Sequence, residues 1–257
     1  MKIMICPNCG VQVPNNSRFC MSCGNKMDPM HIESGGGVES SWFSKGNAWA
    51  KLNKHEEAIY SYDKELMHNP NNIDAWNNKG NSLSKLGMFE DAIFCYDKVL
   101  ETNPKHIQAM YNKAYALAHI DKHTEAIFFY DKVLESNPTD TETMYNKGFS
   151  LSALGKYEDA FDCYNKIVEI NPSHINAWYN MGYTLMKLEK DSEAINCIEK
   201  ALSLSPLDSG IWFLKARVLE NLERFDEVLE CLEHVLEIDP GYQAALEMQV
   251  RLLKKNK

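Results

Sequence analysis

Residues 73–106 read IDAWNNKGNSLSKLGMFEDAIFCYDKVLETNPKH, and they decide the fold because the same order of residue classes returns on both sides of them. Trp76, Gly80 and Leu83 are spaced by four and three, the helical period, so they share one helix face. Ala92 and Tyr96 share a face of a second helix, and Pro104 follows it, where a ring without an N–H ends helical pairing. Gly80 and Ala92 are small enough for the two helices to approach closely, with Tyr96 filling the space around the crossing. The stretch therefore predicts a helical hairpin.

Working outward, prolines fall at Pro70, Pro104, Pro138, Pro172, Pro206 and Pro240, each 34 residues from the last. In the frame starting at residues 39, 73, 107, 141, 175 and 209, unit position 4 is Trp42, Trp76, Met110, Met144, Trp178 and Trp212. Position 8 is Gly46, Gly80, Ala114, Gly148, Gly182 and Ala216, and position 11 is Trp49, Leu83, Leu117, Leu151, Leu185 and Leu219. Position 20 is alanine until Val228, and position 24 is Tyr62, Tyr96, Tyr130, Tyr164, Ile198 and Leu232. Glu65 at position 27 and Val228 at position 20 depart from the pattern, which predicts looser packing in the two terminal units. Position 7 carries Lys45, Lys79, Lys113, Lys147 and Lys215, with Met181 the exception. These lysines read as solvated, their stems covering the neighbouring helix.

Tryptophan, glycine, alanine, aromatic and proline at these positions resemble the tetratricopeptide repeat, whose unit is also 34 residues. The resemblance spans residues 39–242. It implies an all-α chain: a right-handed superhelical solenoid of six hairpins (39–72, 73–106, 107–140, 141–174, 175–208 and 209–242). Leu246, Val250 and Leu253 at helical spacing predict that residues 243–257 form a capping helix shielding the last hairpin, as linear arrays require.

The amino terminus carries a different signal. Cys6-Pro7-Asn8-Cys9-Gly10 and Cys20-Met21-Ser22-Cys23-Gly24 are two Cys-x-x-Cys-Gly knuckles separated by ten residues. Two such turns offer four thiolates tetrahedrally, and the glycines let the backbone turn around a metal. Residues 1–27 resemble the short zinc ribbons found at the starts of many prokaryotic proteins. Cys6, Cys9, Cys20 and Cys23 are the expected ligands of a structural Zn2+, with iron the runner-up. All four positions are taken by protein groups, which leaves no open site for catalysis. Residues 28–38, with Gly35-Gly36-Gly37, read as a flexible linker.

Net charge is −9; residues 1–38 contribute +1 (Lys2, Arg18 and Lys26 against Asp28 and Glu33), leaving −10 on the remainder. An acidic body repels phosphate backbones and anionic lipid, which argues against nucleic-acid or membrane partners. No apolar run reaches the ~18 residues of a membrane span. Four of eight cysteines pair as Cys-x-x-Cys and the rest are scattered, which suits a reducing, cytoplasmic setting.

The family resemblance places the first helix of each unit on the concave side, with positions 2, 5, 6, 9, 12 and 13 lining it. Position 6 is asparagine in four units running: Asn78, Asn112, Asn146 and Asn180. This resembles the asparagine ladder inside the repeat domain of O-linked N-acetylglucosamine transferase, where amides hold a peptide backbone. An amide both donates and accepts, so it matches a peptide's own groups whatever its sequence. First helices about 10 Å apart against about 3.4 Å per extended residue give one asparagine for roughly every third residue, a grip of about nine residues. Tyr111, Tyr145 and Tyr179 at position 5 and Tyr115, Phe149 and Tyr183 at position 9 form i, i+4 pairs that give this groove an aromatic wall. The match to cochaperones that clamp a chaperone's carboxyl terminus is partial: Asn47 and Asn78 fit, but Phe43, Gln108 and Asn112 stand where cations are needed.

Cys95, Cys163, Cys197 and Cys231 all occupy position 23 and read as packing residues. His119 and His123 end one helix and begin the next, without a third ligand in the pattern. No nucleophile elbow, zinc-protease or dinucleotide motif occurs. The reading that emerges is a non-enzymatic scaffold holding an extended segment of a partner protein. A ribbon-led nucleic-acid-associated factor and a self-assembling scaffold are the alternatives.

Overall fold

The computed structural model describes residues 3–5, 12–14 and 41–255. Residues up to Ser40 and residues from Ser41 onward form separate compact units. In the first, strands β1 (Ile3–Ile5) and β2 (Gln12–Pro14) pair antiparallel, with Met4 opposite Val13 and Ile5 opposite Gln12. The first knuckle falls in the connection between them. Cys6, Cys9, Cys20 and Cys23 lie outside the described residues, as does the glycine-rich segment 28–38.

The second unit contains thirteen helices among its described residues: α1 (Trp42–Lys51), α2 (His55–His68), α3 (Ile73–Lys85), α4 (Phe89–Thr102), α5 (Ile107–His119), α6 (His123–Ser136), α7 (Thr141–Ala153), α8 (Tyr157–Ile170), α9 (Ile175–Lys187), α10 (Asp191–Leu204), α11 (Ser209–Asn221), α12 (Phe225–Ile238) and α13 (Gln243–Lys255). Odd and even helices pair into six antiparallel hairpins, and each hairpin packs on the next. The first helices of adjacent units, such as α1 with α3 and α5 with α7, also touch one another more than the second helices do. The odd helices therefore form the inner, concave wall of the array.

Local chemistry sets each boundary. The side chains of Asn72, His106, Asp140, His174 and Asp208 accept hydrogen bonds from backbone N–H groups in the first turns of α3, α5, α7, α9 and α11, satisfying donors that a helix start leaves free. Between the helices of every hairpin, position 15 is left-handed: Asn53, Gly87, Asp121, Gly155, Glu189 and Glu223 have φ between 56° and 76°. Side chains other than glycine are strained there. Glu189→Gly and Glu223→Gly are accordingly expected to stabilise the array by about 0.5 kcal/mol each, after the entropy glycine adds to the unfolded chain, read as a higher urea midpoint.

The helix crossing is as tight as the small residues imply. A Cβ added at Gly46, Gly80, Gly148 or Gly182 would stand 2.5, 2.6, 2.9 and 2.6 Å from Tyr62, Tyr96, Tyr164 and Ile198 of the paired helix. Trp76, Trp178 and Trp212 tie successive hairpins together: each indole N–H donates to the carbonyl of Pro70, Pro172 or Pro206 at 2.8–2.9 Å.

Three expectations are corrected. Four of the position-7 lysines are not solvated, whereas Lys45 is exposed as expected. Lys79, Lys113, Lys147 and Lys215 pair with Asp63, Asp97, Asp131 and Glu199 of the preceding unit at 2.6, 2.5, 2.6 and 3.1 Å, their side chains only 15–23% exposed. Where the lysine becomes Met181, position 25 of the preceding unit is Asn165, so charge and partner disappear together. Each acid is about half exposed, which limits the worth of a pair; Asp97→Ala should cost about 1 kcal/mol by chemical denaturation.

Glu65 and Val228 do not loosen the ends. Glu65 accepts from the Phe43 backbone N–H at 3.3 Å and the Asn72 amide at 2.9 Å, and Val228 is fully buried. Finally, α13 turns Ala245, Met248 and Leu252 into the array, while Leu246, Val250 and Leu253 face outward. An amphipathic helix rich in apolar residues offers two such stripes, and packing against α12 selects the first.

Candidate functional site

The concave wall is not a uniform ladder. Asn47 at position 9 of the first unit accepts from the Tyr62 hydroxyl (2.8 Å) and from the Asn78 amide of the next unit (2.9 Å). Asn81 repeats this, accepting from Tyr96 (2.9 Å) and Asn112 (2.7 Å). The N–H groups of Asn78 and Asn112 thus join neighbouring repeats, and their side-chain oxygens accept from Asn77 and Gln108 respectively. These position-9 acceptors were missed in the sequence, because the paired asparagines are 31 residues apart and on different helices.

The lattice changes at the third unit, where position 9 is Tyr115. The Tyr130 hydroxyl is buried without a partner among the described residues. Asn146 instead donates to the Tyr111 hydroxyl at 2.9 Å, and that hydroxyl donates to Glu142 at 2.6 Å. Asn180 makes no side-chain hydrogen bond among the described residues.

Here the wall opens into a cavity of about 300 Å3, lined by Tyr111, Tyr115, Thr141, Glu142, Tyr145, Asn146, His174 and Asn176. Tyr115 is partly exposed, Tyr145 lies 5.8 Å from the His174 ring, and Phe149 is 56% exposed further along. Burial and the Glu142 carboxylate both push the Tyr111 phenol far above its ordinary pKa, so it stays a donor. Tyr179 and Tyr183 are half-buried on α9 and outside the cavity.

The four position-23 cysteines lie away from this wall, on α4, α8, α10 and α12. Burial raises the thiol of Cys95 to about 12 and those of Cys197 and Cys231 to about 11, while Cys163 also shifts upward from burial. Such thiols are protonated and enclosed, so at pH 8 iodoacetamide should leave all four unmodified in folded protein and label them in urea, as mass spectrometry would read. His119 stacks on Phe89 at 4.6 Å and meets Tyr115 edge-on at 4.4 Å. No three metal-ligating side chains converge among the described residues. No helix of the described residues is long and apolar enough to cross a membrane.

Comparison with known proteins agrees with this architecture. Models of the tetratricopeptide repeat match residues 73–106, 95–128 and 209–242, and a zinc-ribbon domain matches residues 5–27. A model of the anaphase-promoting complex, cyclosome, subunit 3 matches residues 119–201. The chain thus carries tetratricopeptide repeats and, at residues 5–27, an amino-terminal zinc-ribbon segment. Among solved structures, YrrB, described as a tetratricopeptide-repeat protein with an unusual peptide-binding site, is 22% identical; the alignment covers 73% of this chain and 97% of YrrB, with a TM-score of 0.63. MamA is 24% identical over 63% of this chain and 94% of its own, with a TM-score of 0.61. MamA from Desulfovibrio magneticus RS-1, from residue 41 to its end, is 22% identical over 64% and 93%, with a TM-score of 0.63. No curated protein matches the chain by sequence.

Proposed function

We propose that the array is a cytoplasmic, non-enzymatic scaffold whose concave wall holds an extended segment of a partner protein. The observation that carries this reading is the cavity at the third and fourth repeats, where tyrosine faces, the Asn146 amide and a carboxylate converge on the inner wall. Asn180, one repeat on, offers an uncommitted amide to a peptide backbone. Asn78 and Asn112 contribute through their neighbours, since their N–H groups hold repeats together. Tyr179, Tyr183 and Phe149, in the fourth and fifth units, extend the aromatic wall beyond the cavity. The peptide-binding site named for YrrB, a protein of like fold, supports the same reading.

The test is a peptide array probed with the intact chain and with Asn146→Ala/Asn180→Ala. Selective binding by the wild type, reduced at least tenfold in a variant with the same helical circular dichroism, is expected. Equal binding by both would move the site off this wall.

The amino-terminal segment is proposed to hold one structural Zn2+ through Cys6, Cys9, Cys20 and Cys23. The donor set fits: four thiolates form a closed tetrahedral site, and a β1–β2 hairpin flanks the first knuckle. The metal would supply folding free energy that so short a segment lacks. Colourless protein carrying one zinc per chain, with none retained by Cys9→Ser/Cys20→Ser, is the expected result of elemental analysis. Visible thiolate-to-iron absorption would replace zinc with iron.

A further inference from the structure

The charge at the cavity points to the chemistry of what enters it. Elsewhere on the array, aromatic rings carry the chain's own cations. Lys79 lies 5.4 Å from the Trp76 ring, Lys98 5.5 Å from Phe94, Lys132 4.8 Å from Phe128 and Lys187 5.6 Å from Tyr183. Among the described residues, none covers Tyr111, Tyr115 or Tyr145.

These three tyrosines instead share the cavity lining with a carboxylate. Glu142 uses Oε1 to accept the Tyr111 hydroxyl at 2.6 Å, which fixes its position, and Oε2 makes no hydrogen bond among the described residues. Asp140 adds a second negative charge beside it; its oxygens are occupied by the backbone N–H groups of Glu142 and Thr143 and by the Thr143 hydroxyl. The His174 ring is tied to the start of α9, its Nδ1 accepting the Ala177 N–H at 3.1 Å. Burial first, then the Glu142 and Asp140 carboxylates, raise the pKa of the Tyr111 phenol. A volume of about 300 Å3 is at the small end of ligand sites, room for one long side chain.

We infer that this cavity receives the cationic side chain, arginine or lysine, of a bound peptide. The inference rests on the peptide-groove reading above and adds the identity of one anchor. A guanidinium or ammonium between tyrosine faces gains cation–π attraction and meets the free Glu142 oxygen, and a partner bearing it is drawn to an acidic body.

The experiment uses the intact chain and nine-residue peptides, acetylated and amidated, taken from the strongest array hits. In each, one position is varied through arginine, lysine, citrulline and norleucine, and Kd is measured by fluorescence anisotropy. Arginine and lysine at one position are expected to bind at least tenfold tighter than citrulline and norleucine. Glu142→Gln, which still accepts the Tyr111 hydroxyl, should shrink that preference to within threefold, and Tyr111→Phe should keep it. Peptides bound with equal affinity whatever the varied residue would overturn the cation anchor and leave the groove standing. A preference that Glu142→Gln does not change would place the cation elsewhere and also overturn it. Failure of every array peptide to bind would remove both.

Discussion

Tyr96→Ala is expected to cost about 3–5 kcal/mol, the range for removing a large aromatic side chain from a packed core. Tyr96 is 1% exposed, its ring lies against Gly80, and its hydroxyl holds Asn81, which in turn receives Asn112 of the next repeat. One truncation thus empties the crossing within a hairpin and weakens the bond between two hairpins. Repeat arrays are stabilised by nearest-neighbour interfaces, so the loss should localise. Hydrogen exchange would accelerate in α3–α6 ahead of α9–α12, and urea unfolding would broaden. Phenylalanine separates the two contributions. Tyr96→Phe should cost about 1 kcal/mol for the lost hydrogen bond, whereas Tyr130→Phe should be neutral or mildly stabilising, because the Tyr130 hydroxyl is buried unpaired. Equal costs at the two positions would contradict this account.

Gly80→Val should destabilise by about 1–3 kcal/mol, the cost of overpacking, although valine improves on glycine's helix propensity. Its Cβ would meet Cε1 of Tyr96 at 2.6 Å, and the Tyr96 side chain is itself buried in the core. Position 8 is therefore restricted to glycine or alanine opposite a tyrosine at position 24, as Gly80 with Tyr96 and Ala114 with Tyr130 show. A smaller partner should relieve the clash, so Gly80→Val with Tyr96→Leu is expected to cost less than the two changes summed, by about 1 kcal/mol of coupling. Chemical denaturation of the four proteins in the cycle reads this directly. Strict additivity would mean that the ring and the glycine do not contact each other as described.

Helix pairing was legible because it is written within each 34-residue unit: Gly80, Ala92 and Tyr96 belong to one hairpin, and their spacing exposes the shared face. Contacts between units were harder to read. Lys79 meets Asp63 sixteen residues earlier, and Asn112 meets Asn81 across two helices, so neither pair falls on one helical face. Each residue taken alone resembles a solvated lysine or an open amide. The capping helix misled for another reason: the 245, 248, 252 stripe and the 246, 250, 253 stripe are both apolar, and only the surface of α12 distinguishes them. At the candidate site, Tyr111, Tyr115, Tyr145 and Asn146 were readable from their unit positions. Glu142 also falls at a lining position, position 2, but its bond to Tyr111 of the repeat before was not readable, and His174 at position 34 lies outside the expected lining set.

The buried residues are also unevenly joined. From Met144 to Leu252 they form one continuous cluster, whereas those of the first three repeats are divided among smaller ones. Each hairpin nonetheless packs on the next from α1 to α13, so the array is a spring whose coils are the hairpins, and a segment bound along its inner wall would act as a strut against stretching.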